Sequence, residues 1–174
     1  MVPPEKGETM KKIGIIMGSD SDLPVIRKAT AILKELQVPF EVHVFSAHRT
    51  PEQARSFALE ARANGFGVLI AAAGMAAHLA GAIAANTTLP VIGIPCKGPV
   101  LDGMDALLST VQMPSGIPVA TVGINNGANA ALLACEILSV ADAELAERLA
   151  TKRQADTAAV LAKDAGIAGR LEEA

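Results

Sequence analysis

The chain has 174 residues, enough for one domain with a sizeable core, and a net charge of −3. Hydrophobic residues make up 51% of it and aromatic ones only 2%, with no Trp or Tyr, so the core must be aliphatic and rich in alanine. The charge gives no basic footprint for nucleic acid, and the scarcity of aromatics leaves no base-stacking platform.

Residues 1–11 are polar with paired prolines, lack the apolar stretch of a signal peptide and read as a flexible leader. Apolar, strand-like runs then alternate with helical patterns. Strands are expected over 12–17, 40–45, 67–72, 90–94 and 118–122. Helices are expected over 23–36, 51–63, 76–85, 101–111, 126–140 and 142–164. The second helix has a strong start: Thr50 as N-cap, Pro51 at the first position and Gln53 as partner in a capping box. Asn64-Gly65 marks its end. The nearly unbroken apolar run over 68–85 is long enough for a membrane span, but Gly74, Gly81 and His78 interrupt it. A buried strand, a glycine turn and a buried helix account for it better, so no membrane partner is expected.

Short, continuously apolar strands separated by helices are the pattern of buried parallel strands. The fold expected is α/β: a three-layer α/β/α sandwich on a flavodoxin-like parallel five-stranded sheet of order 2-1-3-4-5, with an extra C-terminal helix. One domain is expected over 12–165, its last helix an arm for a neighbouring subunit, followed by a tail over 166–174. Small alanine-rich side chains bury little area each, which favours an oligomer. Cys96 and Cys135 have no metal spacing and read as small buried hydrophobes of a reducing compartment.

The chemistry concentrates where strands end. After the first strand, Gly18-Ser19-Asp20-Ser21-Asp22 offers a free backbone, two hydroxyls and an acid able to cap the next helix. It is neither a Walker loop nor a dinucleotide fingerprint, and ordinary capping explains it equally well. After the second strand, Ser46, His48 and Arg49 sit on a short strand-to-helix turn. An imidazole there can move protons, and a guanidinium can clamp an anion. After the third strand, His78 stands in small, apolar surroundings, Gly74 to Leu79. One such histidine is usually structural; two at adjacent strand ends beside hydroxyls and an arginine suggest a site. His43, between Val42 and Val44, reads as structural. The fourth strand leads to Lys97-Gly98-Pro99, and the loop over 112–118 can line a pocket or cover a neighbour's site.

Five motifs occur in order: Met17-Gly18-Ser19-Asp20-Ser21-Asp22, Ser46-Ala47-His48-Arg49-Thr50-Pro51, Ala77-His78-Leu79, Gln112-Met113-Pro114-Ser115-Gly116-Ile117-Pro118, and Asn129-Ala130-Ala131-Leu132-Leu133-Ala134. Together they resemble the N5-carboxyaminoimidazole ribonucleotide mutases, the PurE family of purine biosynthesis, over nearly the whole chain. Arg49 and His78 are similar to the class I pattern; class II enzymes, which use AIR and free CO2, carry Lys at the equivalent of Arg49. Two departures are Met75, where the family has Gly, and Ala80, where it has Pro. The resemblance implies isomerisation of N5-CAIR to 4-carboxy-AIR with no metal or organic cofactor, in a cytoplasmic homo-octamer. It also implies His48 and His78 as catalytic residues. Substrate contacts fall to Ser19, Ser21, Asp22, Ser46, Arg49, Gly74, Ala76 and Leu79. The alternatives are a class II AIR carboxylase and a related carboxylase acting on another substrate. A receiver or flavin-binding module of the same topology lacks its acidic cluster, or its aromatics, in this sequence.

Overall fold

The computed structural model describes residues 10–167. Apart from 10–11 and 166–167, the leader and tail expected from the sequence lie outside the described residues. Five strands form one all-parallel sheet in the order β2-β1-β3-β4-β5. They are β1 (Lys12–Met17), β2 (Phe40–Val44), β3 (Phe66–Gly74), β4 (Val91–Cys96) and β5 (Ala120–Thr121). The helices are α1 (Leu23–Glu35), α2 (Pro51–Glu60), α3 (Leu79–Ala84), α4 (Met104–Val111), α5 (Gly127–Ser139) and α6 (Ala143–Ala165).

Strand side chains alternate between the two faces, and both faces are covered. Ile13, Ile15, Val68, Ile70, Ile92 and Ile94 pack under α1 and α5. Ile16, Phe66, Leu69, Ala71 and Val91 meet α2 and α3 on the other side. Three of the four phenylalanines, Phe45, Phe57 and Phe66, join His43 in one aromatic cluster there, with neighbouring ring centroids 5.0–6.1 Å apart. The α-helices approach closely only because side chains are small. At the start of α5, the position a Cβ on Gly127 would occupy lies 2.2 Å from the Val25 carbonyl oxygen of α1.

The expected order and layers are those observed, while several boundaries differ for local reasons. The α3 helix begins three residues later than expected. Met75 takes a left-handed φ of 58°, and tight turns from Ala77 N to Met75 O and His78 N to Ala76 O delay the helix to Leu79. The α4 helix likewise waits for Met104, behind Asp102 at φ 51° and Gly103 at φ 92°. The β5 strand keeps only two residues, and Pro118 can donate no ladder bond. The α2 helix ends at Glu60, with Gly65 at φ 81° closing the following turn.

Two caps are corrected. Thr50 makes no side-chain cap bond, so the capping box with Gln53 is not formed. Its Oγ1 turns back, accepting from Ser46 N at 2.8 Å and donating to Ser46 O at 3.2 Å. Asp22 makes no cap bond to α1 either; Ser19 caps the short 3-10 turn Asp20–Asp22 instead.

The α6 helix starts on Asp142, whose carboxylate accepts from Leu145 N. Leu145 is its one buried residue, and Lys152–Glu35 and Arg153–Glu136 ion pairs tie its middle to the body. From residue 153 to 167 every residue is exposed. Among the described residues no helix is long and apolar enough to cross a membrane.

Candidate active site

In this strand order the connections reverse direction between β1 and β3, and a crevice opens at their carboxyl ends. A cavity of about 540 Å³ lies there. All ten residues expected from the sequence line it, brought together from three loops. Ser19, Ser21 and Asp22 follow β1, Ser46, His48 and Arg49 follow β2, and Gly74, Ala76, His78 and Leu79 end β3 or begin α3.

The turn after β2 is built by its own hydroxyls. Ser46 Oγ accepts from the backbone N–H groups of His48 and Arg49 at 3.3 and 3.2 Å. With the Thr50–Ser46 bonds, this fixes the turn that presents the imidazole and the guanidinium. Among the described residues no acceptor takes the Ser46 hydroxyl hydrogen. Arg49 Nη2 donates to the Gly18 carbonyl at 2.7 Å, which ties the β2 loop to the β1 loop. The rest of its planar donor fork can meet an anion.

The His48 and His78 rings face one another, with centroids 4.2 Å apart and planes inclined by 58°. His78 stands at the N-cap of α3 and is exposed, as is His48. The dry surroundings expected for His78 are therefore not found in the single chain. Apolar groups do line one wall (Ala73, Gly74, Leu79), but the mouth is open.

The floor is different. Asp22 is half-buried, and burial raises its pKa above 3.8, an effect the Cys96 thiol and Ser19 backbone partly oppose. The buried Cys96 thiol donates to the Ile94 carbonyl at 3.7 Å, and the Asp22 carboxylate is its charged neighbour. Burial, and then the Asp22 charge, push its own pKa to about 12. A thiol so placed is a hydrogen-bond donor rather than a nucleophile.

His43 lies outside the cavity, stacked on Phe45 at 5.0 Å, as its mid-strand position suggested. The loop over 112–118 also lies elsewhere: Gly116, Ile117 and Pro118 border a second hollow at the amino ends of β4 and β5. Lys97, named after the fourth strand but given no role from the sequence, lines the cavity from the end of β4. The signal was available, since its position immediately after a strand is the one that singled out His48 and His78. Among the described residues no group of three His, Cys, Asp or Glu could hold a metal ion.

Fold and cavity together define a class: a doubly wound α/β protein with a small-molecule cavity at the switch point, furnished with anion-binding and proton-moving groups. The AIR carboxylase family model matches residues 12–159, and the chain belongs to that family. It is 56% identical over 145 residues to the N5-carboxyaminoimidazole ribonucleotide mutase of Pyrococcus abyssi, covering 83% of each chain. It is also 56% identical over 137 residues to the phosphoribosylaminoimidazole carboxylase of Saccharomyces cerevisiae, covering 79% of this chain but 24% of that protein. The crystal structure of Treponema denticola PurE superposes with a TM-score of 0.78 at 30% identity, covering 88% of this chain and 96% of that one.

Proposed function

We propose that the protein converts N5-carboxyaminoimidazole ribonucleotide to 4-carboxy-5-aminoimidazole ribonucleotide in purine biosynthesis. The observation that carries this reading is the 56% identity to a mutase of that name over 83% of both chains. The paired imidazoles beside an arginine agree with it, because the isomerisation needs one proton moved and an anionic substrate held.

The N5–carboxyl bond breaks, CO2 leaves, and N5 takes a proton from His48. C4 then attacks the retained CO2, forming the new C–C bond, and returns its proton to His48. The enzyme ends as it began, so the reaction calls for no external acid, base or nucleotide. His78, one ring away, orients the carboxylate and the CO2. Gly74, Ala76 and Leu79 form the wall against which CO2 is held. Ser19, Ser21, Asp22, Ser46 and Arg49 bind the ribose 5-phosphate, with Asp22 on sugar hydroxyls and Arg49 on the phosphate. The site is open in one protomer, so retention of CO2 needs a cover, and we assign that cover to neighbouring copies in a homo-octamer. The exposed α4 stripe Met104, Leu108 and Val111 and the exposed end of α6 favour such an assembly. The catalytic unit runs over 12–165, arm included, in the cytoplasm.

Assay with N5-carboxyaminoimidazole ribonucleotide and with aminoimidazole ribonucleotide plus bicarbonate, both without ATP, tests the reading. Turnover of the first substrate is expected, and turnover of the second alone would select the class II carboxylase that uses free CO2. His48→Asn is expected to lose on the order of 10²–10⁴ in kcat with its melting temperature kept. Near-normal turnover by that variant would remove His48 from its role.

A further inference from the structure

The cavity holds two full cations and one carboxylate: Arg49, Lys97 and Asp22. The sheet order sets the cations apart. Arg49 follows β2 and Lys97 follows β4, so they flank the loops of β1 and β3 that carry Asp22 and His78. Arg49 is already tethered to the Gly18 carbonyl at 2.7 Å. Lys97 is held in two ways that differ in strength. Its backbone N–H donates to Asn125 Oδ1 at 2.9 Å, which fixes where the residue stands. Among the described residues its ammonium meets only Asp102, at 2.9 Å, in a pair whose side chains are 58% and 80% exposed. An exposed pair of this kind contributes little and exchanges readily. Asp102 returns to Lys97 through a turn at left-handed φ, 51° at Asp102 and 92° at Gly103. The strained backbone thus brings a carboxylate to Lys97, whose charged group, among the described residues, has no backbone tether of the kind Arg49 has.

We propose that Lys97 is a substrate-binding and specificity-determining residue, and that Asp102 occupies its ammonium until an anionic substrate displaces it. The inference rests on the reading of a substrate with an anionic group at each end, a phosphate and a carboxylate. Arg49 takes one end and Lys97 the other. Asp102 is a built-in competitor, standing in for the substrate's oxyanion. A lysine suits the task, since a compact ammonium on a flexible stem can change partners where a bidentate guanidinium would hold on.

Two substitutions pull in opposite directions. Lys97→Met is expected to raise KM about tenfold. Asp102→Asn is expected to lower KM roughly two- to fivefold, by freeing the ammonium from a surface pair. In the double variant the Asp102 effect should vanish. A purely structural ion pair predicts the reverse pattern: both single variants change together, or neither changes. Imidazole-4-carboxylate, titrated calorimetrically into wild type and the three variants, gives an activity-independent readout with the same order of affinities. Equal carboxylate affinity and equal KM in wild type and Lys97→Met would overturn the proposal. Absence of turnover by the wild type would instead refute the assigned reaction, and the carboxylate titration would still decide on Lys97. Melting temperatures within a degree or two of wild type establish that the variants fold.

Discussion

Gly127→Ala places one methyl group where α5 rests on α1. The added Cβ would lie 2.2 Å from the Val25 oxygen, 3.2 Å from its carbonyl carbon and 3.3 Å from Ala29 N. Comfortable contacts begin near 3.5 Å, so the helices must part by about 1 Å. All three neighbours are backbone atoms, and no side chain can swing aside. Overpacking a well-filled core costs about 1–3 kcal/mol, and the lack of a flexible neighbour puts this case at the upper end. Alanine's better helix propensity returns roughly 0.5–1 kcal/mol. The net loss is then about 2 kcal/mol, which for a domain of this size is a fall of roughly 4–8 °C in Tm. Circular dichroism melts of the variant beside Gly123→Ala provide the assay. The control Cβ would meet only Asn126, at 3.8 Å, and should leave Tm nearly unchanged. A Gly127→Ala melt within a degree of wild type would refute the reasoning about the α1–α5 approach.

Two further outcomes are expected. Burial raises the Asp22 pKa above 3.8, so the folded chain holds that proton more tightly than the unfolded one. Ionised Asp22 therefore subtracts stability as pH rises above 3.8 and subtracts none below it. Asp22→Asn should raise Tm at pH 7, with the gain shrinking as pH falls; a gain independent of pH would contradict the assigned cause. The proposed octamer should give an eight-fold mass by light scattering at micromolar concentration, and Leu108→Glu on the exposed α4 stripe should dissociate it. A monomeric wild type would remove the assembly from the reading.

The layers, strand order and cavity walls were legible because burial leaves a direct imprint on sequence. Runs such as Val68-Leu69-Ile70-Ala71-Ala72 read as buried strands, and the loops that follow the strands, with Ser19, Ser46, His48 and His78, mark one edge. Helix starts were less legible. Residues 75–78 carry helix-forming alanines, yet one left-handed residue, Met75, turns the chain away from helix until Leu79. Nothing in its side chain announces that conformation; glycine would have. Thr50 has the composition of a capping residue, but Ser46 competes for its hydroxyl and wins. Lys97 was named after the fourth strand but given no role, since it is the β3–β4 pairing that brings its loop to the cavity His78 also lines.

The aromatic cluster behind α2 has an optical consequence. With no Trp or Tyr, and three of its four phenylalanines packed with His43 away from the cavity, the protein is nearly transparent in the near ultraviolet. A heteroaromatic ligand entering the cavity would therefore be read against an almost blank background. A single tryptophan introduced at the exposed Met75 on the cavity rim would be the molecule's only indole, excited at longer wavelength than the phenylalanines and so reporting occupancy apart from them.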